Sequence, residues 1–301
     1  MIQLFTHTDL DGIGCAVLAK FAFGNNVDIE YCNYDDVDSK VEEHFDSGIE
    51  YECHITDISI DEELAYKIND GDKEFQLLDH HATALGLNKF YWCTVKVENE
   101  DGIKTSGTEL YYNYLTSKGL LNRSDTLDRF VELVRNYDTW RWSTLGEEGV
   151  ICKQVNDLFY LYGRERFIDW CIAEIHANAF PNLLYSDELV LEIEQNNIDN
   201  YIKKKNEQIL IIPLCDKTCG VVFAERYFSE LGNKLCQMHP EIDFVAMIDM
   251  SGTVSYRTIK NDIDLGKDIA KLFGGGGHAK AAGSMFDNGV QLDVINKILN
   301  I

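Results

Sequence analysis

Short strand patterns and amphipathic helix patterns alternate through the first ninety residues, and this alternation limits the fold more than any other feature of the sequence. Apolar runs predict strands at residues 2–6, 27–32, 51–55 and 74–78. Helical spacing fills the intervals at residues 12–23, 36–45 and 61–68. Strands joined by helices of this length form right-handed crossovers, so we expect an α/β fold with a doubly wound, mainly parallel sheet.

The rest of the chain predicts a second, smaller α/β domain. Helix patterns dominate from residue 105 to about residue 206, and the charged run 186–208 contains neither Gly nor Pro, as expected of a long connecting helix. Strand patterns then return at residues 209–214, 220–223, 243–250 and 253–258. We therefore predict a first domain at residues 1–185, a connecting helix at 186–207 and a second domain at 208–301.

Acidic and histidine residues stand directly after three of the four predicted strands. In an open parallel sheet, ligands bind at the carboxyl ends of the strands, so we expect these side chains to meet in one crevice. Asp138 ends a later helix pattern and is a candidate to complete the group. The residues at the three strand ends are His7, Asp9 and Asp11 in HTDLDG, Asp57 in TDIS, and Asp79, His80 and His81 in LDHH.

The chemistry of these side chains predicts a metal centre. Carboxylates and imidazoles together suit Mn²⁺, Fe²⁺ or Zn²⁺, and an excess of carboxylates without thiolates favours Mn²⁺. The candidates exceed the needs of one ion, whereas two ions about 3.5–4 Å apart clamp the attacking and leaving oxygens of a phosphoester. Taken alone, each residue has a structural alternative: Asp9 and Asp11 suit a turn and a helix cap, and Asp57 suits the cap of the next helix.

Two further side-chain groups have weaker signals. Ser106, in the run TSGTE, suits either a place in the crevice or a helix cap. Cys215 and Cys219 form a spaced thiol pair, but the sequence offers no partner ligands for a zinc site. The nine cysteines are scattered, with no CxxC, and this predicts reduced thiols in a cytoplasmic protein.

The charge of the chain restricts its partners. Lys and Arg number 27 against 51 Asp and Glu, which gives a formal net charge of −24. Binding of a long nucleic acid depends on Lys and Arg that neutralise its phosphates, so we expect no long nucleic-acid track. A short phosphorylated substrate held by metal ions remains compatible with this acidity. No apolar run approaches the roughly 18 residues of a membrane span, so we expect no membrane partner.

A glycine run predicts a phosphate-binding element in the second domain. In FGGGGHA, at residues 273–279, Gly275, Gly276 and Gly277 let backbone amides approach a phosphate closely, and His278 adds a donor. A flexible linker is the structural alternative for this run. Arg257 ends the 253–258 strand pattern, and its planar fork of donors suits a phosphate, although an exposed strand residue is the alternative there.

Together these motifs carry a family resemblance. HTDLDG, TDIS, LDHH and YDTW, in this order, resemble the four motifs of the DHH phosphoesterase superfamily. The run FGGGGHA resembles the signature of its DHHA1 substrate-binding domain, so the resemblance covers nearly the whole chain. The HxDxDG opening resembles the nanoRNase B group of oligoribonucleases. The resemblance implies a DHH catalytic domain at residues 1–185 and a DHHA1 domain at 208–301.

The resemblance also implies roles for the candidate residues. It implies two Mn²⁺ ions per site, for which Mg²⁺ or Co²⁺ could substitute, with Asp57 as the bridge between them. Asp79 is implied to orient a histidine, and His81 to lie behind the metals or to face the scissile phosphate. The other implied ligands are His7 and Asp9 for one ion, and Asp11, His80 and Asp138 for the other. The implied substrate-binding residues are Arg257, Gly275, Gly276, Gly277 and His278.

The predicted function is that of a two-metal phosphodiesterase which hydrolyses short oligoribonucleotides to mononucleotides. The substrate is expected to lie between the two domains, and water attacks the phosphorus in line without a covalent enzyme intermediate. A homodimer is a compatible assembly. The same motifs suit a phosphodiesterase of cyclic dinucleotides or of phosphoadenosine phosphate, so these alternatives stay open. The acidity and the lack of room for an added domain disfavour a RecJ-like single-strand DNA exonuclease, and the glycine run disfavours a manganese pyrophosphatase.

Overall fold

The computed structural model describes residues 1–299, and the chain divides into two compact units. The first unit spans Met1–Leu191, and the second begins at Glu192. The last two residues of the predicted second domain, 300 and 301, lie outside the described residues. No helix in the described part of the chain is long and apolar enough to cross a membrane.

The first unit contains a five-stranded sheet in which every neighbouring pair is parallel, in the order β2-β1-β3-β4-β5. This confirms the predicted doubly wound α/β fold. The fifth strand is an addition to the prediction, because three residues are too few for a recognisable period-two pattern. The strands are β1 Ile2–His7, β2 Val27–Cys32, β3 Glu52–Thr56, β4 Phe75–Asp79 and β5 Cys93–Val95.

Helices cover both faces of this sheet, which explains its almost continuous burial. Leu4 of β1 packs into the cluster formed with α1 and α4–α7, whereas Phe5, the next residue, packs into the cluster on the other face with α2 and α3. With both faces covered, the carboxyl edge of the sheet is left for a site. The helices of this unit are α1 Leu10–Phe23, α2 Val37–Asp46, α3 Glu62–Asn69, α4 Gly107–Ser117, α5 Asp125–Asp138, α6 Glu147–Tyr162 and α7 Arg164–His176. The next helix, α8 Tyr185–Asn206, begins in the first unit and ends in the second, where Ile198 and Ile202 are buried.

The second unit contains a six-stranded mixed sheet in the order β10-β11-β9-β8-β7-β6. Only β7 and β8 pair in parallel, and the remaining described pairs are antiparallel. Besides the part of α8 from Glu192 onward, its described α-helices are α9 Phe228–Met238 and α10 Asn288–Leu299. Its strands are β6 Leu210–Leu214, β7 Lys217–Phe223, β8 Phe244–Asp249, β9 Thr253–Arg257, β10 Gly276–Gly277 and β11 Ala281–Met285.

Candidate metal centre

The carboxyl edge of the parallel sheet brings together all eight residues that the sequence proposes for the first unit. β1 ends at His7, β3 ends one residue before Asp57, and β4 ends at Asp79. These strands are neighbours in the sheet, so their ends meet. Three groups have ligand atoms within 4.8 Å of one another: His7, Asp9 and Asp57; Asp11, His80 and Asp138; and Asp57, Asp79, His80 and His81.

His80 lies at the middle of a ring of carboxylates. Its Nε2 atom is 3.2 Å from Asp57 Oδ1, 3.6 Å from Asp11 Oδ2 and 3.6 Å from Asp138 Oδ2. His80 Nε2 and Asp57 Oδ2 are buried and have no hydrogen-bond partner among the described residues. Buried polar atoms normally have partners, and those that lack one within the protein are candidates for binding an ion. The donor set therefore fits a divalent cation.

Asp57 lies between this ring and a second histidine. Its Oδ1 faces His80, while its Oδ2 lies 3.8 Å from His7 Nδ1, which is itself 3.0 Å from Asp9 Oδ2. Asp57 adopts a left-handed backbone conformation with φ of 58°, which Asp tolerates better than most residues. It does not cap the following helix, because Asp61 occupies that position and accepts a hydrogen bond from the Leu64 amide at 2.7 Å.

Asp9 combines a structural role with a place in the centre. Its Oδ1 accepts hydrogen bonds from the amides of Asp11 and Gly12, both at 3.1 Å, and so caps α1. Its Oδ2 faces His7 instead. Gly12 allows this tight junction, because a Cβ at that position would lie 2.1 Å from the carbonyl oxygen of His7. The helix-cap alternative and the metal-site hypothesis are thus compatible for Asp9.

Asp11 is fixed by the first turn of α4. Its Oδ2 accepts a hydrogen bond from the Gly107 amide at 2.6 Å, and its Oδ1 accepts one from the Thr108 amide at 2.9 Å. The N-terminus of a helix favours a negative charge, so this contact suits an ionised carboxylate. Ser106 is the cap of the same helix, where its Oγ accepts a hydrogen bond from the Glu109 amide. Of its two alternatives, Ser106 therefore takes the structural one.

Asp79 orients the neighbouring His81. The Nδ1–H of His81 donates to Asp79 Oδ1 at 2.7 Å, and Ser59 Oγ donates to Asp79 Oδ2 at 2.6 Å. The other ring nitrogen of His81 lies 3.3 Å from the phenol oxygen of Tyr34. The rings of His80 and His81 are only 4.3 Å apart between centroids, so both histidines face the same crevice. A carboxylate behind an imidazole fixes its tautomer and orientation.

Burial and the mutual repulsion of the carboxylates together shape the electrostatics of the centre. Burial, followed by the charges of Asp11 and Asp9, raises the pKa of Asp57 well above its usual range, and the same causes raise that of Asp138. Burial alone would also raise the pKa of Asp9, but the hydrogen bond and charge of His7 outweigh it and lower the pKa to about 2. Burial lowers the pKa of His80. Divalent cations would relieve this repulsion, which is a second reason why the donor set fits them.

The glycine run of the second unit forms a hairpin, so the flexible-linker alternative is wrong. β10 pairs with β11 in an antiparallel ladder. The Gly275 amide donates to the Ala270 carbonyl at 2.8 Å, and the His278 amide donates to the Ala281 carbonyl at 2.7 Å. These two amides serve the fold, while Gly276 and Gly277 are exposed. The candidate phosphate-binding element is therefore limited to Gly276, Gly277 and the exposed side chain of His278.

Arg257, the second phosphate-binding candidate, ends β9 and packs against α9. Its guanidinium donates to the Tyr256 carbonyl at 2.9 Å and to Ser229 Oγ at 3.4 Å. Its aliphatic stem passes over Gly232, where a Cβ would lie 2.5 Å from Arg257 Cγ. Cys219, by contrast, is fully buried in the sheet, and neither it nor Cys215 joins any candidate metal group among the described residues.

The sequence motifs did not include every residue at the centre. Tyr34 follows β2, at the same edge of the sheet, and the strand-end rule would have found it if β2 had been considered without requiring an acidic residue. Gly107 and Thr108 fix Asp11 from about a hundred residues away, and no local spacing signals this.

Comparisons with known proteins agree with this site. No family model matches the chain. The oligoribonuclease NrnB of Bacillus subtilis (strain 168) is 38% identical over 293 residues, which cover 94% of this chain and 72% of that protein. A 3',5'-cyclic-nucleotide phosphodiesterase of Helicobacter pylori is 22% identical over 336 residues, covering 95% and 94% of the two chains.

Among solved structures, the exonuclease RecJ bound to manganese matches with a TM-score of 0.63 at 13% identity, over 99% of this chain and 88% of that one. At this identity the likeness shows the fold alone. The relationship to oligoribonuclease NrnB extends over most of both proteins. With the Asp/His cluster at the strand ends, it shows that the chain belongs to the DHH phosphoesterase superfamily, a family of phosphodiesterases.

Proposed function

We propose that this protein hydrolyses short oligoribonucleotides to mononucleotides, with two Mn²⁺ ions in the candidate metal centre. The relationship to oligoribonuclease NrnB carries this proposal, because it extends over 94% of the chain, and this chain has an Asp/His cluster that fits metal ions. Manganese is the ion named for the RecJ structure of the same fold, and a carboxylate-rich donor set favours it over softer ions. Mg²⁺ and Co²⁺ are the expected substitutes.

In this proposal, six of the eight residues of the first unit bind the cations, and the other two, Asp79 and His81, have a separate role. His7 and Asp9 would hold one cation, Asp11, His80 and Asp138 would hold the other, and Asp57 would serve both. When bound, such cations would supply positive charge to the phosphate oxygens and lower the pKa of a water molecule that attacks phosphorus.

The neighbouring pair of Asp79 and His81 has a separate part. Asp79 keeps His81 in one orientation through the 2.7 Å hydrogen bond to Nδ1. Burial lowers the pKa of His81, but the hydrogen bond and charge of Asp79 outweigh it and raise that pKa. With Nδ1 engaged by Asp79, Nε2 is the ring nitrogen that can contact the substrate phosphate, and the raised pKa favours the protonated form that donates a hydrogen bond there.

The second unit supplies substrate binding in the proposal. Arg257, Gly276, Gly277 and His278 bind a phosphate or terminal nucleotide of the oligonucleotide. The guanidinium of Arg257 holds Ser229 Oγ at 3.4 Å, a long contact that a phosphate oxygen would replace with a stronger, charge-assisted one. The exposed position of Gly276 and Gly277 supports the same role.

A second candidate is a cyclic-nucleotide phosphodiesterase. The Helicobacter pylori protein of that name matches over 94% of its own length, so it resembles this chain in size more closely than the longer oligoribonuclease NrnB does. Its identity of 22% is lower, and for this reason the oligoribonuclease activity is the primary proposal.

One panel of substrates separates these activities. The purified protein is incubated with Mn²⁺ and equal concentrations of di- to heptaribonucleotides, cyclic mono- and dinucleotides, adenosine bisphosphate, and long single-stranded RNA and DNA. We expect the highest kcat/KM with the shortest oligoribonucleotides. A higher value with a cyclic nucleotide would favour the second candidate, and a higher value with long DNA would overturn the proposal.

Location and assembly belong to the proposal as well. All nine cysteines are free, which supports a reducing compartment such as the cytoplasm. A homodimer is compatible with the proposed activity, and light scattering of the purified protein measures the oligomeric state directly.

A further inference from the structure

Tyr34 lies beside the metal centre and is largely exposed. It stands two residues after β2, at the carboxyl edge of the parallel sheet. Its phenol oxygen is 3.3 Å from His81 Nε2, and its ring centroid is 5.2 Å from that of His7. Even so, 62% of the residue surface is exposed. One end of the side chain is therefore held at the centre while much of the ring faces solvent.

Hydrogen bonds hold the loop around Tyr34 in one conformation. Thr8 Oγ1 donates to Asn33 Oδ1 at 3.0 Å, which ties the loop to the HTDLDG segment. The Asn33 amide donates to Asp36 Oδ1 at 2.7 Å, and the Val37 amide donates to the Asn33 carbonyl at 3.0 Å. An aromatic surface that is already ordered loses little conformational entropy when it binds a ligand.

The negative charges around Tyr34 determine which part of a ligand can lie against its ring. The carboxylates of Asp57, Asp9, Asp79 and Asp138 all act on its phenol group. A phosphate is repelled by these groups unless cations hold it, whereas a flat, uncharged ring system is not. A nucleobase is the part of a nucleotide that is both flat and uncharged, and aromatic side chains bind bases by stacking.

We propose that Tyr34 is a substrate-binding residue that stacks on the base of a nucleotide whose phosphate lies at the metal centre. This inference rests on the proposed function, because it takes the substrate to be a nucleotide. The ring makes the contact rather than the hydroxyl. Since stacking does not read the edges of a base, the contact accepts any of the four bases and rejects phosphodiesters that carry none.

The test compares variants on substrates with and without bases. KM and kcat are measured for the unsubstituted protein, Tyr34→Ala and Tyr34→Phe on a diribonucleotide and on its two abasic analogues, each lacking one base. We expect Tyr34→Ala to raise KM for the diribonucleotide about tenfold or more, and Tyr34→Phe to stay within about twofold. With one of the abasic analogues, Tyr34→Ala and the unsubstituted protein should have the same KM.

A matched variant and two physical measurements complete the design. Tyr91→Ala removes a 91% exposed tyrosine just before β5, at the opposite edge of the same sheet, and should behave as the unsubstituted protein. Thermal unfolding and calorimetric Mn²⁺ titration should be unchanged in Tyr34→Ala.

Four outcomes would overturn the inference. An unchanged KM in Tyr34→Ala would show that the ring makes no contact with the substrate. A rise in KM as large in Tyr34→Phe as in Tyr34→Ala would show that the hydroxyl, not the ring, makes the contact. If Tyr34→Ala raised KM equally for all three substrates, or bound Mn²⁺ more weakly, Tyr34 would only support His81. Failure of the proposed function is distinct: the unsubstituted protein would then not cleave the diribonucleotide, and the stacking role would fall with it.

Discussion

The candidate metal centre of the first unit and the glycine hairpin of the second unit are both assigned to phosphate chemistry, but they are built differently. Asp11 and Asp57 are each 1% exposed, and backbone amides or neighbouring side chains fix most of the centre. Gly276 and Gly277 are exposed, and so is His278. Cations need donors at fixed distances, whereas a phosphate bound at a surface tolerates adjustment. We infer that the first unit provides the chemistry and the second provides affinity.

The largest expected effect comes from Asp57, which faces both His7 and His80. Asp57→Asn should lower kcat by about a hundredfold or more, because a charge that holds cations and transition state together is lost. A chelator should have the same effect on the unsubstituted protein, and added Mn²⁺ should restore activity. Asp35→Asn, at an exposed position, should retain full activity. If Asp57→Asn kept more than about a tenth of the rate, the two-metal proposal would be wrong.

A smaller effect is expected when the packing behind the centre is changed. A Cβ at Gly107 would lie 2.4 Å from Asp57 Cβ, so Gly107→Ala should displace the first turn of α4 and release Asp11. We expect kcat/KM to fall about 10–100-fold and the free energy of unfolding to fall by about 1–3 kcal/mol.

Gly86→Ala serves as the matched comparison, because a Cβ there has no atom within 4 Å. It should change neither the rate nor the thermal unfolding temperature. Equal behaviour of the two variants would show that the centre does not depend on the close approach of α4.

The second unit should affect binding without affecting the metals. Arg257→Ala should raise KM about tenfold, because a charge-assisted contact to phosphate is lost. Arg257→Lys keeps the stem over Gly232 and the charge but loses the planar fork, so it should recover only part of the affinity. Mn²⁺ content, measured by elemental analysis, should stay constant in both. A loss of bound Mn²⁺ would contradict the division of roles between the units.

The smallest expected effect concerns substrate length. With a net charge of −24, the surface should repel phosphates that lie beyond the site, so kcat/KM should peak at roughly two to five nucleotides and fall a few-fold for longer strands. Added salt should narrow this gap, because the distance beyond which charges are screened, about 8 Å at physiological ionic strength, shortens as salt is added. A length ladder at two salt concentrations measures both trends. A flat or rising profile up to about twenty nucleotides would favour an exonuclease of long strands instead.

The sequence predicted those parts of the fold whose signals are local. β1 to β4 lie within one or two residues of their predicted positions, because each is a short segment with several apolar residues between helix patterns and turn residues. α1 begins at Leu10, two residues earlier than its apolar spacing indicates, because Asp9 supplies the cap. α9 has helical spacing at Leu231 and Leu235, but it stands between strand patterns that obscure it.

The site was predictable to the extent that it follows strand ends. The convergence of residues after β1, β3 and β4 follows from a parallel sheet without further information. The hold of α4 on Asp11 does not, because it joins residues far apart in sequence. The glycine run was predictable as a special backbone, but its hairpin was not: a Cβ at Gly275 would lie 2.0 Å from the Gly283 carbonyl oxygen, a contact that only the folded sheet creates.

The two hydrogen bonds from α4 to Asp11 also bear on the stage of synthesis at which the first unit can bind metal ions. A nascent chain that has emerged only to residue 100 contains all five strands of the first sheet and seven of the eight candidate residues of the centre. It lacks the amides of Gly107 and Thr108, and it lacks Asp138. If the centre binds cations as proposed, we expect tight metal uptake only after α4 and α5 have left the ribosome and packed, so a bound ion would mark a first unit whose synthesis and folding are well advanced.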